Sequence, residues 1–136
     1  MRPAGPRIVF KDDRDSSIQR GCHLFGAHFR PEIAKIFHAA AQTAPYNIGV
    51  VMFSEGHRPP RERGERDLHT ELRAIDVSLN TIFADPTSSE EDILYNRRER
   101  GKEWANRIRK ILGPDYTVVL HGEGYNCHIH IELDPR

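Results

Sequence analysis

The residues best suited to chemistry are histidines, of which the chain has eight. His128 and His130 stand two apart in a segment with the pattern of a β-strand, so their side chains project from one face. Cys127, Ile129 and Ile131 project from the other face. Two imidazoles held on a strand suit zinc, which accepts neutral nitrogen and prefers tetrahedral coordination. A pair of surface histidines is the alternative interpretation.

Two further residues supply ligand types that zinc accepts. Asp76 lies in a second strand pattern and points away from the apolar side of that strand, while His69 ends the loop that leads into it. A His, an Asp and a His leave a fourth zinc position for water, as in catalytic rather than structural sites. Each residue alone is more typical of a solvated surface, but the combination predicts a zinc site.

The elements that position these residues follow from apolar periodicity. We predict helices over residues 31–43 and from a capping box at 88–91 to Gly113, strands over 48–53, 74–79, 116–121 and 127–133, and a short edge strand over 7–10. Residues 48–53 are apolar at consecutive positions, which predicts a strand covered on both faces. Gly101 is expected to bend or interrupt the second helix. The glycines of residues 122–126 favour a turn that joins the last two strands as an antiparallel hairpin.

These elements indicate one α+β domain over residues 1–136, with helices packed against a small antiparallel sheet. Twenty basic and twenty acidic residues cancel, so no overall positive field exists to hold a nucleic acid or an anionic membrane. The longest apolar stretch is far short of the roughly 20 residues of a membrane-spanning helix. We therefore expect a monomer with no nucleic-acid partner and no membrane partner. Cys22 and Cys127 could pair, but two cysteines do not make a disulfide framework.

Three blocks of the sequence resemble the Hedgehog/D-Ala-D-Ala peptidase superfamily of zinc enzymes. They are SEGHRP at 54–59, HTELRAID at 69–76 and HIH at 128–130, and the resemblance covers about residues 30–133. It implies the α+β fold of that superfamily and a zinc ion bound by three ligands, His69, Asp76 and His130. It also implies that His128 touches the water or the transition state.

The same resemblance implies a zinc metallopeptidase that hydrolyses peptide bonds of bacterial peptidoglycan. The substrate would be the stem peptide, cut by a D,D-carboxypeptidase or by an endopeptidase of the endolysin type. The N-terminus lacks the apolar region of a secretory signal. Such an enzyme would therefore suit a phage or prophage product that reaches the cell wall through a separate export or lysis system.

The general base is open between two residues. Many relatives carry Glu or Asp three positions before the last histidine, where this chain has Cys127. Relatives also commonly carry Gly two positions before the Ala of the His/Asp block, where this chain has Leu72. Glu123 in the turn and His128 on the strand are the candidates, since a base must reach the water directly or through one other water. Arg58 stands where the family has a substrate-contacting arginine. It could stabilise an oxyanion or hold a carboxylate, or be a solvated loop residue.

Two other functions compete with a peptidase. A noncatalytic zinc-containing binding or structural module of the same fold would have neither candidate base near the metal. A basic-patch nucleic-acid binder would need residues 97–102 and 58–66 to form one surface. His121 and Glu132 are expected near the imidazoles, where either could fix a histidine tautomer or lie on plain surface.

Overall fold

A computed structural model describes residues 7–10, 31–55 and 74–134 of the chain. Its elements are β1 (Arg7–Phe10), α1 (Pro31–Gln42), β2 (Val50–Glu55), β3 (Ala74–Ser78), α2 (Glu90–Leu112), β4 (Tyr116–His121) and β5 (His128–Leu133). A short 3-10 turn, Gly124–Asn126, separates β4 from β5. The predicted α+β class, with helices against a small sheet, is confirmed.

Helix α1 forms where its sequence pattern predicts it. Pro31 suits the first helical position because its missing N–H has no intrahelical partner there. Glu32 complements the positive end of the helix. The residues that recur at helical spacing face the core, and the buried ones are Ile33, Ile36, Ala39 and Ala40. The predicted end at residue 43 is one residue too late.

Helix α2 begins and ends at residues that cap it. Ser89 Oγ accepts a hydrogen bond from the backbone N–H of Asp92 at 3.2 Å, which satisfies one of the free donors of the first turn. Gly113 follows the last turn with φ of 82°, a left-handed conformation that favours glycine. The helix runs without interruption through Gly101, so the expected break at that residue is wrong.

The outer face of α2 carries many charges. Lys102 lies 3.0 Å from Glu99, and Arg100 lies 3.4 Å from Glu103, so two cations of the 97–102 run are paired with carboxylates. Exposed pairs of this kind contribute about 0.2–1 kcal/mol each to stability.

In the ranges given above, no helix is long and apolar enough to cross a membrane.

The five strands form one sheet in the order β1-β2-β3-β5-β4. Strands β2, β3, β5 and β4 are antiparallel neighbours, which confirms the predicted antiparallel sheet and the hairpin of the last two strands. Strand β1 pairs in parallel with β2 and lies at the edge, as predicted for residues 7–10. Strands β3 and β5 therefore lie side by side, although α2 and β4 separate them in the chain.

One face of the sheet packs against the helices, and the opposite face carries most of its polar side chains. The helix face of β3 and β5 is apolar, and its fully buried members are Ile75, Val77, Ile129 and Ile131. Strand β2 alternates as well: Val51 and Phe53 are buried, whereas Val50 and Met52 are partly exposed. The prediction that residues 48–53 are covered on both faces is therefore wrong. The face opposite the helices, which carries Asp76 and His130, is called the open face below.

Gly101 lets α2 lie close to the sheet. A Cβ atom at this position would stand 2.7 Å from Leu79 Cδ1 and 3.1 Å from Leu120 Cδ1. Leu79 is only 1% exposed, so its side chain has little room to move away. The close approach of Leu79 and Leu120 therefore explains the glycine at this position.

We expect Gly101→Val to lower the free energy of unfolding by about 1–3 kcal/mol, because the added methyl groups overpack the contact with Leu79. Lys102→Val is the matched control on the exposed side of the same turn. It measures the cost of valine in the helix together with the loss of the Lys102–Glu99 ion pair, which is about 0.5–1.5 kcal/mol in all. Urea denaturation of both variants makes the comparison, and equal losses would contradict close packing at Gly101.

Candidate functional site

Asp76 and His130 meet on the open face of the sheet. They are direct partners in the antiparallel register of β3 and β5. His130 Nδ1 lies 2.7 Å from Asp76 Oδ1. Asp76 is 6% exposed, and a buried carboxylate is costly without a partner. The register thus brings together two of the three predicted zinc ligands.

His128 lies one step along the same face, at the start of β5. It pairs with Ser78 on β3 and with His121 on β4. Its Nδ1 lies 2.6 Å from the backbone carbonyl oxygen of Asn126. A carbonyl only accepts hydrogen bonds, so Nδ1 carries the proton in this contact. In the neutral ring Nε2 then has a free lone pair, and it lies 3.8 Å from Asp76 Oδ2.

The donor types of Asp76 and His130 are ones that zinc accepts, and the contact between them is a hydrogen bond. An imidazole N–H that donates to a carboxylate accounts for the observed 2.7 Å distance. Two ligand atoms about 2.0–2.1 Å from a tetrahedral zinc ion lie about 3.3 Å from each other. His130 Nδ1 would have to lose its proton and move about half an ångström from Asp76 Oδ1 before both atoms could bind one ion.

The third predicted ligand, His69, lies outside the described residues, and so do Arg58 and His57. Among residues 7–10, 31–55 and 74–134, no group of three or more His, Cys, Asp or Glu side chains is arranged to hold a metal ion. The pair formed by Asp76 and His130 supplies two donors, and a complete zinc site needs at least one more protein ligand.

The two candidate bases have different surroundings. Glu123 is exposed just before the 3-10 turn, and its side chain has no hydrogen bond or ion pair with another described residue. His128 stands on the open face beside Asp76, with its Nε2 directed to that side. Of these two residues, His128 is the one whose basic atom lies near the predicted ligands.

Cys127 points into the core, as strand alternation predicts. It is 7% exposed and belongs to the same apolar cluster as Ile129 and Ile131. It is a free thiol, and burial raises its pKa. Cys127 therefore faces away from Asp76 and His130. Its possible partner Cys22 is outside the described residues.

His121 and Glu132 flank the two imidazoles. The ring centroids of His121 and His128 are 5.5 Å apart. Glu132 Oε1 lies 4.0 Å from His130 Nε2, on the same face of β5. Both residues thus lie next to the predicted site, as expected, although 4.0 Å is too long for a direct hydrogen bond.

Backbone and amide contacts around the turn were not anticipated from the sequence. The carbonyl of Asn126 orients His128, and the side-chain amide of Asn80 donates to the carbonyl of Tyr125 at 2.9 Å. These contacts tie the end of β3 to the turn before β5. In the sequence, Gly122 indicates a tight turn, and its φ is 86° in the structure. A glycine does not, however, indicate which backbone carbonyl faces His128.

Comparison of the chain with protein families, with curated proteins and with solved structures found no match.

We expect the Cys127 thiol of a Cys22→Ser variant to react at least ten-fold more slowly with Ellman's reagent in the native protein than in urea. Burial limits access to the sulfur and raises its pKa, so less thiolate is present at pH 8. The native rate should increase as the pH rises toward that pKa. Equal rates in the folded and unfolded protein would contradict the placement of Cys127 in the core.

Proposed function

We propose that the chain is a zinc-dependent metallopeptidase that hydrolyses peptide bonds of bacterial peptidoglycan, as a D,D-carboxypeptidase or an endolysin-type endopeptidase. The observation that carries the proposal is the 2.7 Å contact between Asp76 and His130. The resemblance of the three sequence blocks to the Hedgehog/D-Ala-D-Ala peptidase superfamily implies that these two residues share a metal, and a hydrogen bond joins their side chains.

In this proposal His69, Asp76 and His130 hold the zinc ion. Bound zinc polarises an amide carbonyl and lowers the pKa of a water molecule so that it becomes a nucleophile near neutral pH. The sheet holds Asp76 and His130 on two paired strands, so neither ligand depends on a loop for its position. Arg58 is proposed to stabilise the oxyanion or to bind a substrate carboxylate.

His128 is the better of the two candidate bases. Its hydrogen bond to Asn126 leaves Nε2 free to accept a proton on the open face. After accepting it, the imidazolium can return the proton to the leaving amine, since the same atom faces the reacting groups. Asp76 Oδ2 lies 3.8 Å from the same atom, so His128 stands beside a proposed zinc ligand.

A noncatalytic zinc-binding module is the alternative, and one observation favours it. Cys127 occupies the position of an acidic residue in many relatives and faces the core, and Glu123 has no described contact with Asp76 or His130. If His128 does not act as a base either, neither of the two candidate bases serves the site. The protein would then bind zinc without hydrolysing peptides.

Metal analysis tests the ligand assignment. We expect one zinc ion per wild-type chain and loss of most of it in His69→Ala and in His130→Ala, because each removes one of three ligands. His38→Ala is the matched control, since His38 is exposed on α1 and far along the chain from the site. Zinc content is measured by mass spectrometry on variants whose circular dichroism matches the wild type. Unchanged zinc in both ligand variants would contradict the site.

Digestion of purified muropeptides tests the base. We expect His128→Ala to retain zinc but to cleave about 10²–10⁴-fold more slowly, because general base catalysis contributes about that factor. Glu123→Gln should cleave at nearly the wild-type rate. The reverse pattern would assign the base to Glu123. Zinc binding without any cleavage by the wild-type protein would select the noncatalytic module.

A further inference from the structure

A groove opens at the end of the open face, next to the candidate site. Its volume is about 470 Å³, and its walls include Val50, Met52, Asn80, Thr81, Phe83 and Arg97. Small-molecule and cofactor sites in proteins commonly occupy about 300–1,000 Å³. The groove is therefore large enough for a segment of a ligand, and neither the zinc site nor the candidate bases use it.

The groove lies on the same side of the sheet as Asp76 and His130. Val50 and Met52 alternate with the buried Val51 and Phe53, so they project from the open face. Ser78, the last residue of β3, follows Asp76 by two residues, or about 7 Å along the strand, and the groove wall begins beyond it at Asn80. A ligand lying along β3 would thus reach from the zinc ligands to the groove.

Arg97 supplies the charge of the groove. Its Nε donates to the carbonyl oxygen of Ile82 at 3.2 Å, which orients the guanidinium. The two terminal nitrogens have no hydrogen-bond or ion-pair partner among the residues described. Arg97 is also the one charged side chain among the described residues of the groove wall. A planar guanidinium with two free nitrogens matches a carboxylate, which accepts two parallel hydrogen bonds.

The other walls combine one unpaired hydroxyl with apolar surface. Thr81 Oγ1 is buried and has no hydrogen-bond partner in the described part of the chain, so it adds no accessible polar atom to the wall. Phe83 is 68% exposed, and its ring lies against Gly49, where an added Cβ would be 3.3 Å from Cζ. Together with Met52 this ring forms an apolar wall beside the carboxylate position.

We infer that the groove binds the C-terminal carboxylate of an extended peptide whose cleaved bond lies at Asp76 and His130. This inference rests on the proposed peptidase function. The groove begins past the end of β3, so a carboxylate held at Arg97 lies more than two residues beyond the cleaved bond. A carboxypeptidase substrate has its carboxylate one residue from that bond and does not reach Arg97. The groove therefore selects internal cleavage over removal of the last residue.

Binding of two matched peptides tests the inference. Dansyl-labelled alanine pentapeptides, one with a free carboxylate and one with a carboxamide, are titrated with chelator-treated protein, and binding is followed by fluorescence anisotropy. We expect the carboxylate to bind the wild type at least ten-fold more tightly. Arg97→Gln should abolish the difference, and Arg97→Lys should restore part of it through charge alone. Arg98→Gln, an exposed neighbour outside the groove wall, is the matched control and should keep the difference.

Three outcomes would overturn the inference: equal affinity of the two peptides for the wild type, binding of neither peptide, or equal losses in Arg97→Gln and Arg98→Gln. Urea denaturation of each variant separates lost binding from lost folding. Zinc-loaded protein is then given muropeptides. If the protein cleaves muropeptides but shows no preference for the carboxylate peptide, the groove does not bind a carboxylate and the peptidase function stands. If it prefers the carboxylate peptide but does not cleave muropeptides, the groove binds a carboxylate and the peptidase function is wrong.

Discussion

The carboxylate of Asp76 is buried on the open face, and the arrangement of β3 and β5 depends on how that charge is compensated. Desolvation of an ionised carboxylate is strongly unfavourable unless a polar partner replaces the lost water. His130 supplies that partner because it stands directly opposite in the register. A slip of one residue would place Ile129 or Ile131 beside the carboxylate and turn the imidazoles into the core. The apolar core and the polar pair thus specify the same register.

The helix face holds the sheet in that register from behind. Trp104 is fully buried on α2, and its Nε1 donates to the carbonyl oxygen of Ala40 at 3.1 Å, which joins the two helices. The hydroxyl of Tyr116 donates to the carbonyl oxygen of Glu32 at 2.6 Å and joins β4 to α1. These contacts pair buried polar atoms within an otherwise apolar layer. A site whose ligands lie on a sheet supported in this way needs little reorganisation to bind an ion.

Period-two alternation was sufficient to predict which side of each strand carries Asp76 and His130, because strand geometry forces successive side chains to opposite faces. It could not predict their direct contact, since pairing of β3 with β5 depends on the whole chain. The interpretation of residues 48–53 failed because a continuous apolar run does not reveal which residues are covered. The expected interruption of the helix at Gly101 failed for a related reason. Helix propensity describes a residue in isolation, whereas the packing of Leu79 limits which side chain can occupy this position. The role of the Asn126 carbonyl depends on turn geometry, and no side chain in the sequence indicates it.

With equal numbers of basic and acidic residues, the chain has no overall field to draw in a charged ligand, so selection must come from short-range contacts. In the proposed arrangement those contacts lie at two places on the open face. Asp76 and His130 would hold a zinc ion at the reacting bond, and Arg97 would bind a carboxylate in the groove beyond the end of β3. A ligand that reaches only the zinc ligands or only Arg97 makes one set of contacts but still loses translational and rotational entropy on binding. In this proposal, the spacing between the Asp76–His130 pair and Arg97 therefore determines which peptides bind with high affinity, more than the charge at either site does.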